Sequence, residues 1–334
     1  MKRFRRITAC IMTIICAVSI FGCTTSTADS DKIVLIMSDV QEGTHPTALS
    51  CDKFAQLVKE KSKGRIVVEV YHGDQLGTEA EQAEQVSVGG IDLARISTNI
   101  LATYNDDLKA LQALYLYSSD EQMWRMLNGE IGNSFLNSET MKKNGITGLT
   151  WYSGGSRNFY NNGKEITKPE DLKGLTIRVN TDSMVAFLEK CGATPKNVAY
   201  NDIFNSISSG AIQGAENNWP SYISTKHYEV AKYITVDEHT RIPEMIVAST
   251  ESMSKLSASD QELIHQCAVE TTQFQREKMA EYDQKAIKTA EESGCKVTYL
   301  TEAQVKAFQD AATAVNEKVS SKYISIINKI KAVQ

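Results

Sequence analysis

Between Ser259 and Gly294 the chain contains no proline or glycine, and its apolar positions recur at helical spacing. Ser259-Asp-Gln-Glu262 reads as a capping box that opens a helix, and Gly294 as the residue that stops it. At 1.5 Å per residue such a helix is roughly 50 Å long, more than the width of one ordinary domain. A rod of that length must cross two lobes. Helical periodicity resumes after Val297-Thr-Tyr-Leu300 and reaches the end of the chain, which places the C-terminal helices on the outside of those lobes.

The preceding sequence supplies two lobes. Apolar runs at 32–37, 65–71 and 91–96 alternate with helical patterns near 46–62 and 77–88, a βαβαβ rhythm that predicts a parallel sheet covered by helices. A second series begins at Gly145 and continues through 157–161, 174–179, helices near 182–191 and 201–209, and a strand at 211–216. Val86-Ser-Val-Gly-Gly-Ile-Asp-Leu-Ala-Arg95 and Ile207-Ser-Ser-Gly-Ala-Ile-Gln-Gly-Ala-Glu216 share one pattern: helix end, glycine cap, buried strand. The repeat sets Arg95 and the Glu216-Asn-Asn218 segment at equivalent strand ends.

The N-terminus stands apart from this. Lys2, Arg3, Arg5 and Arg6 precede an apolar run ending at Gly22-Cys23, shorter than the roughly 20 residues that span a bilayer. Residues 1–22 therefore read as an export signal. Ile20-Phe21-Gly22-Cys23 resembles a bacterial lipobox, with Phe21 where that pattern has a small residue, so Cys23 is the expected lipidation site and 23–31 a flexible tether. Loss of the signal moves the net charge from −5 to −9, which argues against nucleic acid as a partner. Cys51, Cys191, Cys267 and Cys295 are scattered, without a CxxC or a Cys/His cluster, and read as free thiols rather than metal ligands. No metal site, cofactor fingerprint or catalytic motif is legible, and the five histidines are dispersed.

Arginine is the informative residue. After the signal the chain has 25 Lys but only seven Arg, and several of those seven fall in or beside predicted strands. A guanidinium offers a planar fork that matches a carboxylate. Arg157 and Arg178 bracket the passage RNFYNNGKEITKPEDLKGLTIRVN, so adjacent strands would bring them together, an arrangement that suits an anion between two cations.

The Lys-Pro-Glu-Asp-Leu-Lys-Gly-Leu-Thr-Ile-Arg-Val core of that passage resembles the DctP-type solute-binding proteins of tripartite ATP-independent periplasmic (TRAP) transporters. So do LGTEAEQAEQVSVGGIDLA at 76–94 and GAEN at 214–217. The resemblance covers the chain after the signal. It implies an α/β, two-lobed periplasmic-binding-protein-like fold with a hinge, a central cleft and the long helix spanning both lobes. Lobe I is expected from 32–153 plus about 240–280, and lobe II from 154–239 plus about 281–334.

The implied role is a receptor, not an enzyme, that hands an organic acid to membrane permease subunits from outside the membrane, tethered to the membrane surface by its N-terminal lipid. By the same resemblance Arg178 clamps the carboxylate, with Arg157 and Asn217 beside it. Gly155-Ser-Arg157-Asn-Phe-Tyr160 resembles the form in members that bind hexuronates, which points to D-glucuronate or D-galacturonate. Sialic acid, an aldonate or a C4-dicarboxylate remain alternatives, as does a surface enzyme acting on sugar acids. Glu79 matches a position that accepts hydroxyl hydrogen bonds, and Arg95 adds a cation at a strand end. Gln41 and His45 follow the first strand, at the rim where ligands sit in sheets of this kind. Trp151, Trp219 and Tyr222 would offer a flat face to a sugar ring.

Overall fold

The computed structural model describes residues 32–333; the export signal, Cys23 and the tether to residue 31 lie outside them. The described strands are β1 (Ile33–Asp39), β2 (Ile66–His72), β3 (Leu93–Ser97), β4 (Ile146–Asn161), β5 (Thr176–Val179), β6 (Thr194–Asn197), β7 (Gly214–Asn218), β8 (Tyr233–Ser249) and β9 (Lys296–Tyr299). They form one sheet in the order β2-β1-β3-β8-β4-β7-β5-β6, with β9 added to β8.

This sheet is mixed, not wholly parallel as the βαβ rhythm suggested. The outer groups β2-β1-β3 and β7-β5-β6 are parallel, whereas β8 runs antiparallel to β3 and to β4, and β4 antiparallel to β7. The two pieces expected at 145–152 and 157–161 are a single strand, β4, and its long partner β8 was not anticipated. β8 contains Pro243 and five charged or histidine side chains between Asp237 and Glu244, a composition that ordinarily disqualifies a central strand. A register shift of β4 between Ser153 and Ser156, opposite Pro243 and Arg241, absorbs the proline.

The long helix Ala258–Glu292 has 35 residues and begins one turn edge earlier than expected: Ser257, not Ser259, is its cap and accepts from the Asp260 amide. Its first half buries Ile264, Cys267 and Ala268 with Phe54 of the helix Pro46–Lys61 and Leu35 of β1. Its second half buries Ala286 and Ala290 with Tyr160, Ile207 and Tyr222. The rod thus joins the cores of both lobes. The helix Glu302–Val319 packs on the helix Asp182–Lys190, where Phe308 lies beside Phe187 and Phe159. Tyr323, Ile327 and Ile330 instead return to the core containing Leu101, Leu111 and Met123, on the β1–β3 side and away from the lobe expected for residues after 281. Among the described residues Cys51, Cys191, Cys267 and Cys295 form no disulfide.

The two copies of the sequence repeat share the same helix-to-strand turn. The helices Glu79–Ser87 and Ile203–Ser208 each stop at a left-handed glycine, Gly89 and Gly210, both at φ +75°, before entering β3 and β7. Gly214 at the start of β7 has a different reason to be glycine: a Cβ there would lie 2.2 Å from the Tyr160 carbonyl oxygen. Gly214→Ala is therefore expected to cost about 1–3 kcal/mol by forcing β7 off β4, read as a lower urea midpoint. An unchanged midpoint would show that the strands yield freely.

Candidate functional site

Where β3 and β7 end, the two lobes face each other across a cavity of about 520 Å³, within the usual range for small-molecule sites. Arg178, Arg157, Asn217, Glu79 and Arg95 all line it. His45, Trp219 and Tyr222 do not. His45 caps the helix Pro46–Lys61, its Nδ1 accepting from the Thr47 amide, and is fully buried; burial and the neighbouring Arg95 hold it at about 3, so it is neutral. Trp219 and Tyr222 face the core, where the Tyr222 hydroxyl donates to the Ala231 carbonyl. Trp151 packs with Met123 and Met245.

On the β7 side the strand GAENN is buried throughout, so each of its polar groups needs a partner. Arg157 on β4 lies opposite Asn218 in register and reaches along β7. Its Nε and Nη2 donate to the Glu216 carboxylate at 2.5 and 2.9 Å, and its Nη1 donates to Asn217 Oδ1 at 2.6 Å. Asn217 Oδ1 also accepts from the Asn218 amide, so the free donor of Asn217 is its NH₂ group.

His239 of β8 completes this cluster, with Nε2 3.2 Å from Glu216 and Nδ1 2.9 Å from Asp237. Burial would raise Glu216, but Arg157 and His239 pull it down to about 2. Burial would lower His239, but Asp237 and Glu216 lift it to about 9, so the imidazole is a cation at neutral pH. Arg157 is therefore neutralised by Glu216 and is not simply one of two bare cations, as the sequence had suggested.

Arg178 is different. It is 6% exposed, and its only hydrogen bond among the described residues runs from Nε to the Val198 carbonyl at 3.0 Å. Among the described residues neither Nη group has an acceptor. Burial depresses its pKa, Glu216 opposes this, and the like charge of Arg157 adds to it. The result is a desolvated cation whose open fork lines the same cavity as the free NH₂ of Asn217. This arrangement fits a carboxylate.

The β3 side carries the opposite balance. Arg95, 1% exposed, donates from Nε to Asp39 at 2.8 Å and from Nη1 to Glu79 at 2.8 Å and Glu244 at 3.2 Å. Glu79, the first residue of its helix, also accepts from the Ser97 amide and hydroxyl. One cation here meets three carboxyl groups. Equivalent positions of the repeat thus hold inverted charge: an arginine among acids on β3, and an acid among cations on β7.

Gln41, Asn180, Tyr200 and Glu244 also line the cavity. Tyr200 donates to Gln41 across its mouth at 2.6 Å, so the two lobes touch over the site. Glu216, Tyr200 and Glu244 were not singled out as site residues from sequence. The repeat was the one available signal, since it aligned Glu216 with Arg95.

A family model described as bacterial extracellular solute-binding protein, family 7, matches residues 37–322. A solute-binding protein from Chromohalobacter salexigens is 31% identical over 239 residues, covering 71% of this chain and 70% of that one. Two crystal structures of TRAP periplasmic solute-binding proteins superpose along most of their length. One, from Bradyrhizobium sp. with bound α/β-D-galacturonate, is 30% identical with a TM-score of 0.84, covering 89% of this chain and 99% of that one. The other, from Chromohalobacter salexigens with bound D-glucuronate, is 28% identical with a TM-score of 0.85, covering 90% and 100%.

Proposed function

This chain belongs to the bacterial extracellular solute-binding proteins of family 7, and from that premise we propose that its cleft captures a hexuronate, D-glucuronate or D-galacturonate, for delivery to TRAP permease subunits. The observation that carries this reading is the open guanidinium fork of buried Arg178 in the cavity that the free NH₂ of Asn217 also lines. The sugar carboxylate supplies the missing anion there, with Arg157 adding its remaining Nη1 hydrogen.

The opposite wall favours a sugar over a second carboxylate. A hydroxyl donates well to the carboxylate of Glu79, whereas the far end of a C4-dicarboxylate would meet that carboxylate as like charge. The bound acid touches both walls only when the lobes are together, so it stabilises the closed form by its differential affinity. The ligand leaves unchanged, without turnover. Export by the N-terminal signal and lipidation of Cys23 would set the receptor at the outer face of the membrane. No helix among the described residues is long and apolar enough to cross one.

A thermal-shift panel of D-glucuronate, D-galacturonate, an aldonate, sialic acid and succinate tests the ligand. Uronate at 100 times its Kd is expected to add about 2.7 kcal/mol of stability, and chromatography should recover it chemically intact. A shift with succinate and none with either uronate would overturn the ligand and leave the family membership standing.

A further inference from the structure

The three carboxyl groups around Arg95 are not equally supported. Asp39 receives the Arg95 Nε and the Gln41 amide. Glu79 receives Arg95 and both donors of Ser97. Glu244 receives a single Nη1 contact at 3.2 Å on Oε1, while its Oε2 is buried and has no partner among the described residues. Glu244 is 6% exposed, lies opposite Ser97 of β3 and Tyr152 of β4, and lines the cavity.

With all three ionised, one guanidinium would face three negative charges away from water, and a buried uncompensated charge is costly. A proton on one carboxyl removes much of that cost, and it belongs on the least supported oxygen. A protonated carboxyl is a donor as well as an acceptor. We infer that Glu244 is held as a neutral acid and donates its Oε2 hydrogen to an oxygen of the bound sugar acid, which makes it a specificity-determining residue. The inference rests on the proposed uronate reading.

The surroundings agree. Burial lifts Glu244 to about 7, Glu79 and Asp39 add to the rise, and Arg95 and Arg157 oppose it. These groups approach from the helix Glu79–Ser87, β1, β3 and β4. Cys51 of the helix Pro46–Lys61, Tyr152 opposite Glu244 on β4 and Tyr200 of the facing lobe are the further titratable neighbours, and all three are uncharged at neutral pH, their pKa values raised by burial. None supplies a positive charge that would hold Glu244 ionised. The consequence is pH-dependent capture: only the protein with Glu244 protonated presents the donor.

The test is calorimetric titration of D-glucuronate into the wild type, Glu244→Gln and Glu244→Ala at pH 6 and pH 8.5. It is paired with infrared spectra of the ligand-free proteins. Wild-type affinity is expected to fall about 30-fold between the two pH values, the ratio of protonated fractions for a group titrating at about 7. Glu244→Gln, whose amide donates without titrating, should bind more weakly than the wild type at pH 6, more tightly than Glu244→Ala, and equally at both pH values.

At pH 6 the ligand-free wild type should show a buried protonated-carboxyl band that Glu244→Gln lacks. A flat wild-type profile with Glu244→Gln as impaired as Glu244→Ala would overturn the inference, as would absence of the band. If no uronate binds the wild type at either pH, the ligand reading and the donation to a sugar fail together. The band still decides separately whether Glu244 holds the proton.

Discussion

Arg178→Ala is expected to weaken uronate binding by more than 100-fold while leaving the ligand-free protein no less stable. Each charge-assisted bond from the Arg178 fork contributes on the order of 1.5–3 kcal/mol, and two such bonds exceed the roughly 2.7 kcal/mol that corresponds to 100-fold. The stability half follows from the same geometry. Without ligand the guanidinium is buried with one carbonyl acceptor and no carboxylate bonded to it, so its desolvation is poorly offset and its removal relieves strain. Calorimetry and thermal unfolding, run side by side, separate the two effects. Unchanged affinity would remove the carboxylate clamp, and a sharp fall in ligand-free Tm would assign Arg178 a structural role instead.

Glu216→Gln should behave in the opposite way. Here a buried acid faces Arg157 and His239 together, and its loss strands Arg157 and leaves His239 with Asp237 alone. Breaking a buried pair on one side costs about 3–5 kcal/mol, a loss that urea unfolding at pH 7 would register directly. The pH profile adds a sign. Glu216 sits at about 2 in the folded protein, below the usual carboxylate value, so its contribution is present above that usual value and lost as pH falls toward 2. His239 sits at about 9, above the usual imidazole value, so its contribution is present below pH 6.5 and lost as pH rises through 9. In Glu216→Gln the acid limb should flatten, and the alkaline limb, which still starts near 6.5, should end at lower pH and be shallower because one of the two acids facing His239 is gone. A wild-type profile retained in the variant would mean that the cluster does not carry this energy.

The residues that could be read from sequence were those whose local pattern already singled them out. Arg178 sits on the polar phase of a short alternating strand, and the Gly89 and Gly210 caps repeat in identical backbone conformation. The long helix was legible because nothing in it interrupts the 3.6-residue period. What escaped depends on distant partners. Glu244 meets Arg95 from 149 positions away, and β8 is a central strand despite Pro243 because a shift in β4 makes room for it. Trp219 and Tyr222 carry side chains suited to sugar binding but are turned into a core assembled from other elements, and His45 is taken up in capping its own helix. Side-chain chemistry announced a capability; register and packing decided where it points.

The rod Ala258–Glu292 and the strands β4 and β8 belong to both halves of the molecule at once. Neither half corresponds to an uninterrupted stretch of gene. Recombination between relatives therefore has no clean joint at which to exchange one binding wall for another, and a new substrate preference has to be acquired one codon at a time. The lineage of such a receptor should record its changes of diet as scattered point substitutions around an inherited frame.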